Sequence, residues 1–265
     1  MASPAGYRGL ARMQARTVLA YRADYLNQLI GLLTQIFVLR VVWSTVYGHH
    51  TEVAGAPLSL MLAYVTLANV QSWLFNPWQF SLIPDRVRDG LVATDLARPV
   101  GFLGQIIARQ IGRTGAMLPF AVLALPFAVL LAGMAPPAST AGAVGYLVGL
   151  VLAYGITTLL SLLLGLSTFW STEIGGIFLI YRMVSQFLSG ALVPLWFMPG
   201  TLRLVSQVLP FQAVTYTPTA IYLGTLTGTG ALSGVALEAG WVVVLWLATR
   251  LVWSRAIRRV VVQGG

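Results

Sequence analysis

The sequence predicts an all-α membrane protein with six transmembrane helices in a single domain, residues 1–265. Three observations carry that expectation. Of 265 residues, 57% are hydrophobic and only 9% are charged, against about 25% charged in typical soluble domains. Apolar stretches of about 20 residues, enough to cross a bilayer, recur along the whole chain. Arginines gather mainly at the ends of those stretches. A large soluble helical bundle is the alternative, but too little polar surface exists to coat one.

Residues 5–24 read as an amphipathic helix lying at the membrane interface. Arg8, Arg12 and Arg16 recur at i,i+4 and form one basic stripe, with Leu10, Met13, Thr17 and Leu19 mostly off it. A solvated extension of the first span is the other reading. That span covers 26–47 and contains Arg40, which is costly in lipid unless it faces a partner helix or a cavity, or snorkels. A short polar loop follows. It holds His49 and His50, the only histidines, with Glu52 as the nearby acid. A plain loop is expected there rather than a metal site, and no metal-binding residues are assigned.

The second span, 58–82, carries Asn69 and Gln71, which can join helices through hydrogen bonds. Asn76 and Pro77 interrupt it, and Pro77 is expected to bend or end the helix. A charged island then spans 85–99. The third span, 102–134, opens with Arg109 and Arg113 one turn apart and contains Pro119 and Pro126 as candidate kinks. In the fourth, 141–170, Gly145 and Gly149 form a small-xxx-small pair suited to close helix contact. The fifth is 174–193, with Glu173 beside it and Arg182 within it. Residues 194–234 are moderately apolar but broken by Pro194, Pro199, Pro210 and Pro218, so short interfacial or re-entrant helices are expected. The sixth span is 235–253.

An even number of spans puts both termini on one side, and arginine chooses the side. The lead-in holds Arg8, Arg12, Arg16 and Arg22, the island Arg86, Arg88 and Arg98, and the tail Arg250, Arg255, Arg258 and Arg259. Loops 48–57 and 134–141 have none, and 194–234 has only Arg203. Both termini and the island are therefore expected to be cytoplasmic. The N-terminus does not read as a cleavable signal peptide. The net charge of +9 comes from 16 basic residues, all arginine, against 7 acidic ones. Their placement fits anionic lipid headgroups, and nucleic acid is not expected as a partner.

Chemistry is sparse. Without cysteine there are no disulfides and no thiolate chemistry. Without lysine there is no phosphate-binding P-loop lysine, so any ATP hydrolysis belongs to another subunit. Asp85, Asp89 and Asp95 sit together in the island, but Arg86, Arg88 and Arg98 interleave them and compensate their charge. That pattern suits a docking surface better than a catalytic site. The residues leave transport, membrane scaffolding or an unusual intramembrane reaction, with a transporter ahead of a scaffold and no energy source named. Arg40, Tyr64, Asn69, Gln71, Tyr154, Tyr181 and Arg182 are candidates for lining a pathway. Arg40, Arg182 and Glu238 can equally pair within the bundle.

Three regions resemble the bacterial ABC-2-type permease family. After the second span, Gly90, Leu91, Leu96, Arg98 and Pro99 match its Gly…Leu…Pro segment. Gly190, Pro194, Leu195, Pro199, Leu209, Pro210, Phe211 and Pro218 are similar to its outer Pro-rich region. The Trp-rich last span and the final QGG look like the same branch. Many members read Leu-Asp-x-Leu-Leu-x-Arg-Pro where this chain has LVATDLARP, so Asp95 is displaced to stand beside Leu96. The resemblance implies a type V exporter fold and one permease half of a dimer with an identical or homologous subunit. It implies a separate cytoplasmic ATPase dimer holding ATP and Mg, with no cofactor in this chain. Asp85, Arg86, Arg88, Asp89, Gly90, Leu91, Asp95, Leu96, Arg98 and Pro99 would form the coupling helix, with Leu91 and Leu96 as apolar anchors. The basic N-terminal helix would be the connecting helix at the inner interface. Pro194, Pro199, Pro210, Phe211 and Pro218 would build the outer region. The implied setting is the bacterial plasma membrane, and the cargo amphiphilic or hydrophobic: a drug, a lipid or a natural product. A secondary transporter and a non-transporting scaffold are the alternatives.

Overall fold

The computed structural model describes residues 4–75, 82–132, 134, 136–171 and 175–259. Helix α1, Pro4–Ala20, is followed after a break at Tyr21 by α2, Arg22–Tyr47. The expected boundary near residue 25 thus falls earlier. The strands Glu52–Val53 and Ala56–Pro57 make a minimal antiparallel ribbon between α2 and α3, Leu58–Phe75. The Tyr47 hydroxyl donates to the Ala56 carbonyl at 3.0 Å and fixes that ribbon to the end of α2. Asn76 and Pro77, read as the bend in the second span, lie outside the described residues.

The island forms two short helices, α4, Ile83–Arg88, and α5, Val92–Leu96. Next come α6, Phe102–Ala132, α7, Thr140–Leu166, and α8, Gly175–Leu188. Helix α6 runs unbroken through Pro119 and Pro126. Three short helices, α9, Gly200–Val208, α10, Phe211–Val214, and α11, Tyr216–Tyr222, precede the last long one, α12, Gly228–Ala256.

Five stretches among the described residues are long and apolar enough to span a bilayer: Arg22–Tyr47, Leu58–Phe75, Phe102–Leu130, Thr140–Phe169 and Gly228–Arg259. The fifth expected span differs. Helix α8 has 14 residues, a rise of about 21 Å against a hydrocarbon core of about 30 Å. It stops because the chain turns at Gly190, whose φ of +80° lies in the left-handed region. A side chain there would also clash, since a Cβ would stand 2.8 Å from both Leu195 Cδ1 and the Tyr64 hydroxyl. Glu173, placed at its start, lies outside the described residues.

Helix α3 is the central post. Its apolar window is 72% buried, against 22% for α2 and 11% for α12. Val70 packs with Leu29, Leu32 and Ile36 of α2 and Ala124 of α6. Tyr64 meets Trp196 edge-to-face at 4.8 Å and donates to the Gly190 carbonyl at 3.0 Å. The segment after α8 folds back along this post. Pro194 precedes a short 3₁₀ turn, Pro199 precedes α9 and Pro210 precedes α10, while Pro218 sits in the first turn of α11. These are positions where the missing N–H has no helical partner to lose. At the break between α10 and α11, the Gln71 side chain donates to the Val214 carbonyl. Backbone irregular at that depth must be satisfied by protein. Gln71 lies 13 residues along α3 from Leu58, so the segment reaches about 20 Å down the post.

Helix α11 then climbs along α7 on a row of glycines. A Cβ on Gly145 would stand 2.8 Å from Ile221 Cγ2, and one on Gly149 3.2 Å from Pro218 Cβ. The Gly145/Gly149 pair is therefore the seat of α11. At the island end, Phe102 of α6 stacks on Trp253 of α12 at 4.6 Å, and Phe169 meets the same indole at 6.1 Å. Ile83 and Val92 of the island join Phe102, Ile106, Leu162, Leu166 and Ala256 in one buried cluster.

Helix α1 lies along the first turns of α6. The Tyr7 hydroxyl accepts from the Gly101 N–H at 3.1 Å. A Cβ on Gly104 would stand 2.6 Å from the Tyr7 ring, and one on Gly112 would overlap the Ala11 backbone. Gly112→Ala is expected to unseat α1, at a cost of at least about 1–3 kcal/mol because backbone cannot yield. Gly115→Ala meets open space and is expected to be neutral or slightly stabilising. Thermal midpoints and protease access to the arginine-rich α1 compare the two.

Candidate functional site: a clasped charged island

The island's local shape follows from its residues. Pro84 starts α4. Gly90 ends it, with φ +68°. Leu91 N–H reaches back to the Arg86 carbonyl at 2.9 Å and Gly90 N–H to the Val87 carbonyl at 3.2 Å, the bonding of a Schellman cap. The chain then re-enters a helix whose inner face is Val92, Asp95 and Leu96, the i, i+3, i+4 stripe. The single coupling helix expected over 85–99 is thus two helices around a glycine turn.

Asp95 is the centre of this arrangement. It is 1% exposed. Its carboxylate lies 3.2 Å from Arg98 Nη1, 3.4 Å from Arg86 Nε and 3.9 Å from Arg109 Nη2. Gln105 of α6 adds two hydrogen bonds, its side-chain amide donating to the Asp95 carbonyl at 2.7 Å and the Val100 carbonyl at 3.0 Å. One carboxylate therefore joins α4, α5, the linker and α6. Its displacement from the family pattern has a structural meaning: at position 95 it falls on the inner face of α5.

The residues expected to dock a partner separate into two groups. Asp85, Arg88, Asp89, Gly90, Leu91 and Pro99 are exposed, as are Ala93, Thr94 and Ala97 between them. Arg86 and Arg98 are half-buried around Asp95, and Leu96 packs on the chain's own core. The expectation that Asp95 and Leu96 present themselves to a partner is corrected: Asp95 is buried and Leu96 packs on the chain's own core, so Leu91 is the large apolar side chain left exposed on the outer face. On α1, Arg8, Arg12 and Arg16 are all exposed.

The pathway candidates do not converge on one chamber. Tyr64 and Gln71 hold the folded-back segment. Tyr154 is half-buried against Phe75 at 5.7 Å, and Tyr181 against Phe211 at 6.1 Å. Arg40 on α2 and Arg182 on α8 are exposed. Asn69, which donates to its own helix at Val65, also lines a cleft of about 270 Å³ with Gln28, Gln35, Ser72, Trp73 and Gln186. Tyr181 lines an adjoining cleft that shares Ser72 and Gln186. Sequence reading missed Gln28, Gln35, Ser72 and Gln186. The signal was available in part, since Gln28 and Gln35 stand two turns apart on one face of an apolar helix. Glu238 is fully buried against Gly149, and neither of its oxygens has a hydrogen-bond partner. Among the described residues, no three His, Asp or Glu side chains group as metal ligands do.

Asp95→Asn is expected to destabilise the protein by about 3–5 kcal/mol, because it leaves guanidinium groups facing one another without their shared anion. Gln105→Leu removes one donor from each of two carbonyls, Asp95 and Val100, and is expected to cost about 1–3 kcal/mol. Arg88→Gln, on the exposed face, is expected to cost well under that. Chemical or thermal unfolding of the three variants ranks them.

The family described as ABC-2 family transporter protein matches residues 30–264, which takes in the island, the folded-back segment, four of the five candidate spans whole and most of Arg22–Tyr47. No curated protein and no solved structure matches the chain. Five long apolar helices, a charged island between two of them and a match over most of the length agree: the chain belongs to the ABC-2 family of transporter proteins, as a multi-pass membrane permease.

Proposed function

We propose that this chain is the membrane half of an ATP-driven exporter that docks a separate cytoplasmic ATPase on the outer face of the island. The observation that carries this reading is the two-sidedness of residues 85–99. The inner side is clasped to α6 through Asp95 and Gln105. The outer side presents Asp85, Arg88 and Asp89 around Leu91, charges of both signs around one apolar anchor, which suits a specific protein contact. The ATPase supplies ATP and Mg, and this chain binds no cofactor.

A push on the outer face would not deform the island alone. Ile83 and Val92 are built into the cluster with α6, α7 and α12, so the island and the island-end turns of those helices would move as one body. A second permease subunit, identical or homologous, completes the pathway. Its membrane is the bacterial plasma membrane, with α1, the island and the end of α12 cytoplasmic, as the arginine distribution favours. Residues 189–227 then form a re-entrant region at the outer face. The amide-lined cleft between α2, α3 and α8 supports an amphiphilic cargo with neutral hydrogen-bonding groups, because six lining residues are Gln28, Gln35, Asn69, Ser72, Trp73 and Gln186 and none is charged.

The test separates the two sides of the island. Leu91→Asp with Arg88→Glu is expected to abolish copurification with the partner ATPase, and transport with it, while the thermal midpoint stays within a few degrees of the parent. Leu96→Asp is expected to lower the midpoint itself, since it buries a charge in the chain's own core. If the Leu91/Arg88 double variant keeps full ATPase binding and transport, the docking reading is wrong.

A further inference from the structure

The clasp leaves a charge imbalance one turn further along α6. Arg109 is 3% exposed, and its ion pair ends on Asp95, which Arg86 and Arg98 share. Arg86 and Arg98 keep 21% and 38% of their side chains exposed and so reach water. Arg109 does not, and its Nε is buried without a hydrogen-bond partner. Arg113 stands one turn on, with its Nε likewise buried and unpartnered and its guanidinium 5.9 Å from the centre of the Tyr25 ring. An arginine stays protonated in a protein, so a buried Arg109 that shares one carboxylate with two other arginines, next to a half-buried Arg113 with no carboxylate of its own, is costly as it stands.

The two arginines border a cleft. Gln14 of α1, Leu82, and Ile106, Arg109, Gln110 and Arg113 of α6 line a space of about 10 Å³. That is room for roughly one water-sized atom. We propose that the cleft is an anion site that takes a single phosphate oxygen between Arg109 and Arg113, with the side-chain amides of Gln14 and Gln110 as further donors. Guanidinium groups are well matched to phosphate oxygens. The site's depth identifies the favoured source. Helix α6 has 31 residues, a length of about 46 Å, so about ten residues extend beyond a hydrocarbon core of about 30 Å. With that extension at the arginine-bearing end of α6, Arg109 and Arg113 would stand at its edge, next to the headgroup layer. A phosphodiester of the facing leaflet can insert its oxygen from there, and free inorganic phosphate has the same chemistry. The site requires only that this end of α6 lie in a headgroup layer, and not that the island dock an ATPase.

The full chain, with its ATPase where the two copurify, is placed in nanodiscs of phosphatidylcholine alone or with added phosphatidylglycerol, with and without inorganic phosphate at matched ionic strength. Thermal midpoints are read at one scan rate. Phosphatidylglycerol is expected to raise the midpoint by several degrees, as a ligand of the folded state does. Arg113→Gln is expected to lose most of that rise. The paired Arg12→Gln and Arg16→Gln change on the exposed stripe of α1 is expected to keep most of it. Gln110→Glu supplies the missing anion from within, so it is expected to raise the midpoint in phosphatidylcholine and to abolish the increment from phosphatidylglycerol. A rise with inorganic phosphate alone supports the site and assigns it to the free anion. Equal midpoints for the parent under all conditions overturn the proposal. So does an Arg113→Gln protein that keeps the full increment. If Arg113→Gln does not fold, a Gln110→Glu protein that responds to phosphatidylglycerol as the parent does overturns it.

Discussion

The Asp95 carboxylate, within 3.9 Å of three guanidinium groups and almost out of water, sets the geometry of one whole end of the bundle. A carboxylate is buried at tolerable cost only when opposite charges stay in place around it. Arg86 belongs to α4, Arg98 to the linker and Arg109 to α6, so none of these elements can leave without exposing the others' charge. Gln105 closes the same junction through two backbone carbonyls. The island is thereby a fixed projection of α6 rather than a loop, and its outward residues keep a constant relation to the long helices.

The far end of the bundle is held differently, by neutral polar groups and aromatic contacts. Tyr64 and Gln71 each donate a hydrogen bond to a carbonyl in the folded-back segment. Around Tyr64, the rings of Trp196 and Tyr216 lie at 4.8 and 6.3 Å. Glycines on α7 let backbone meet backbone where an ordinary side chain would hold α11 away. Polar residues within the apolar spans thus divide by task. Some satisfy irregular backbone, and others, the glutamines of α2 and α8 among them, border a cleft.

Much of this was legible in the sequence. Arg8, Arg12 and Arg16 at i,i+4 marked α1, and all three are exposed. The prolines at 194, 199 and 210 marked an interrupted segment of short helices, and each stands just before one. Gly145 and Gly149 marked a close contact. The island's existence was plain, but its inside and outside were not. A mixed run of Asp and Arg looks the same whether its charges face a partner or one another, and only the helical register that turns Val92, Asp95 and Leu96 inward decides. Helix α8 shows the opposite limit. Its apolar run continues past residue 188, and only the left-handed turn at Gly190, pinned by Tyr64, ends it. Gln28 and Gln35 were visible as residues, yet their meeting with Asn69 and Gln186 depends on three helices that are distant in sequence.

The glycine seat on α7 bears on the order of biogenesis. Synthesis runs from the N-terminus, so α3 with its Tyr64 and Gln71, and α7 with its glycine row, precede the segment that needs them. When residues 189–227 leave the ribosome, the donor for the Val214 carbonyl and the groove for α11 already exist. The irregular backbone can go directly from the translocation machinery to its partners. Helix α12 arrives last and packs its buried Glu238 against Gly149, closing α7 from the other side. The chain order is thus also an insertion order, in which each element that could not survive alone in lipid follows the one that shelters it.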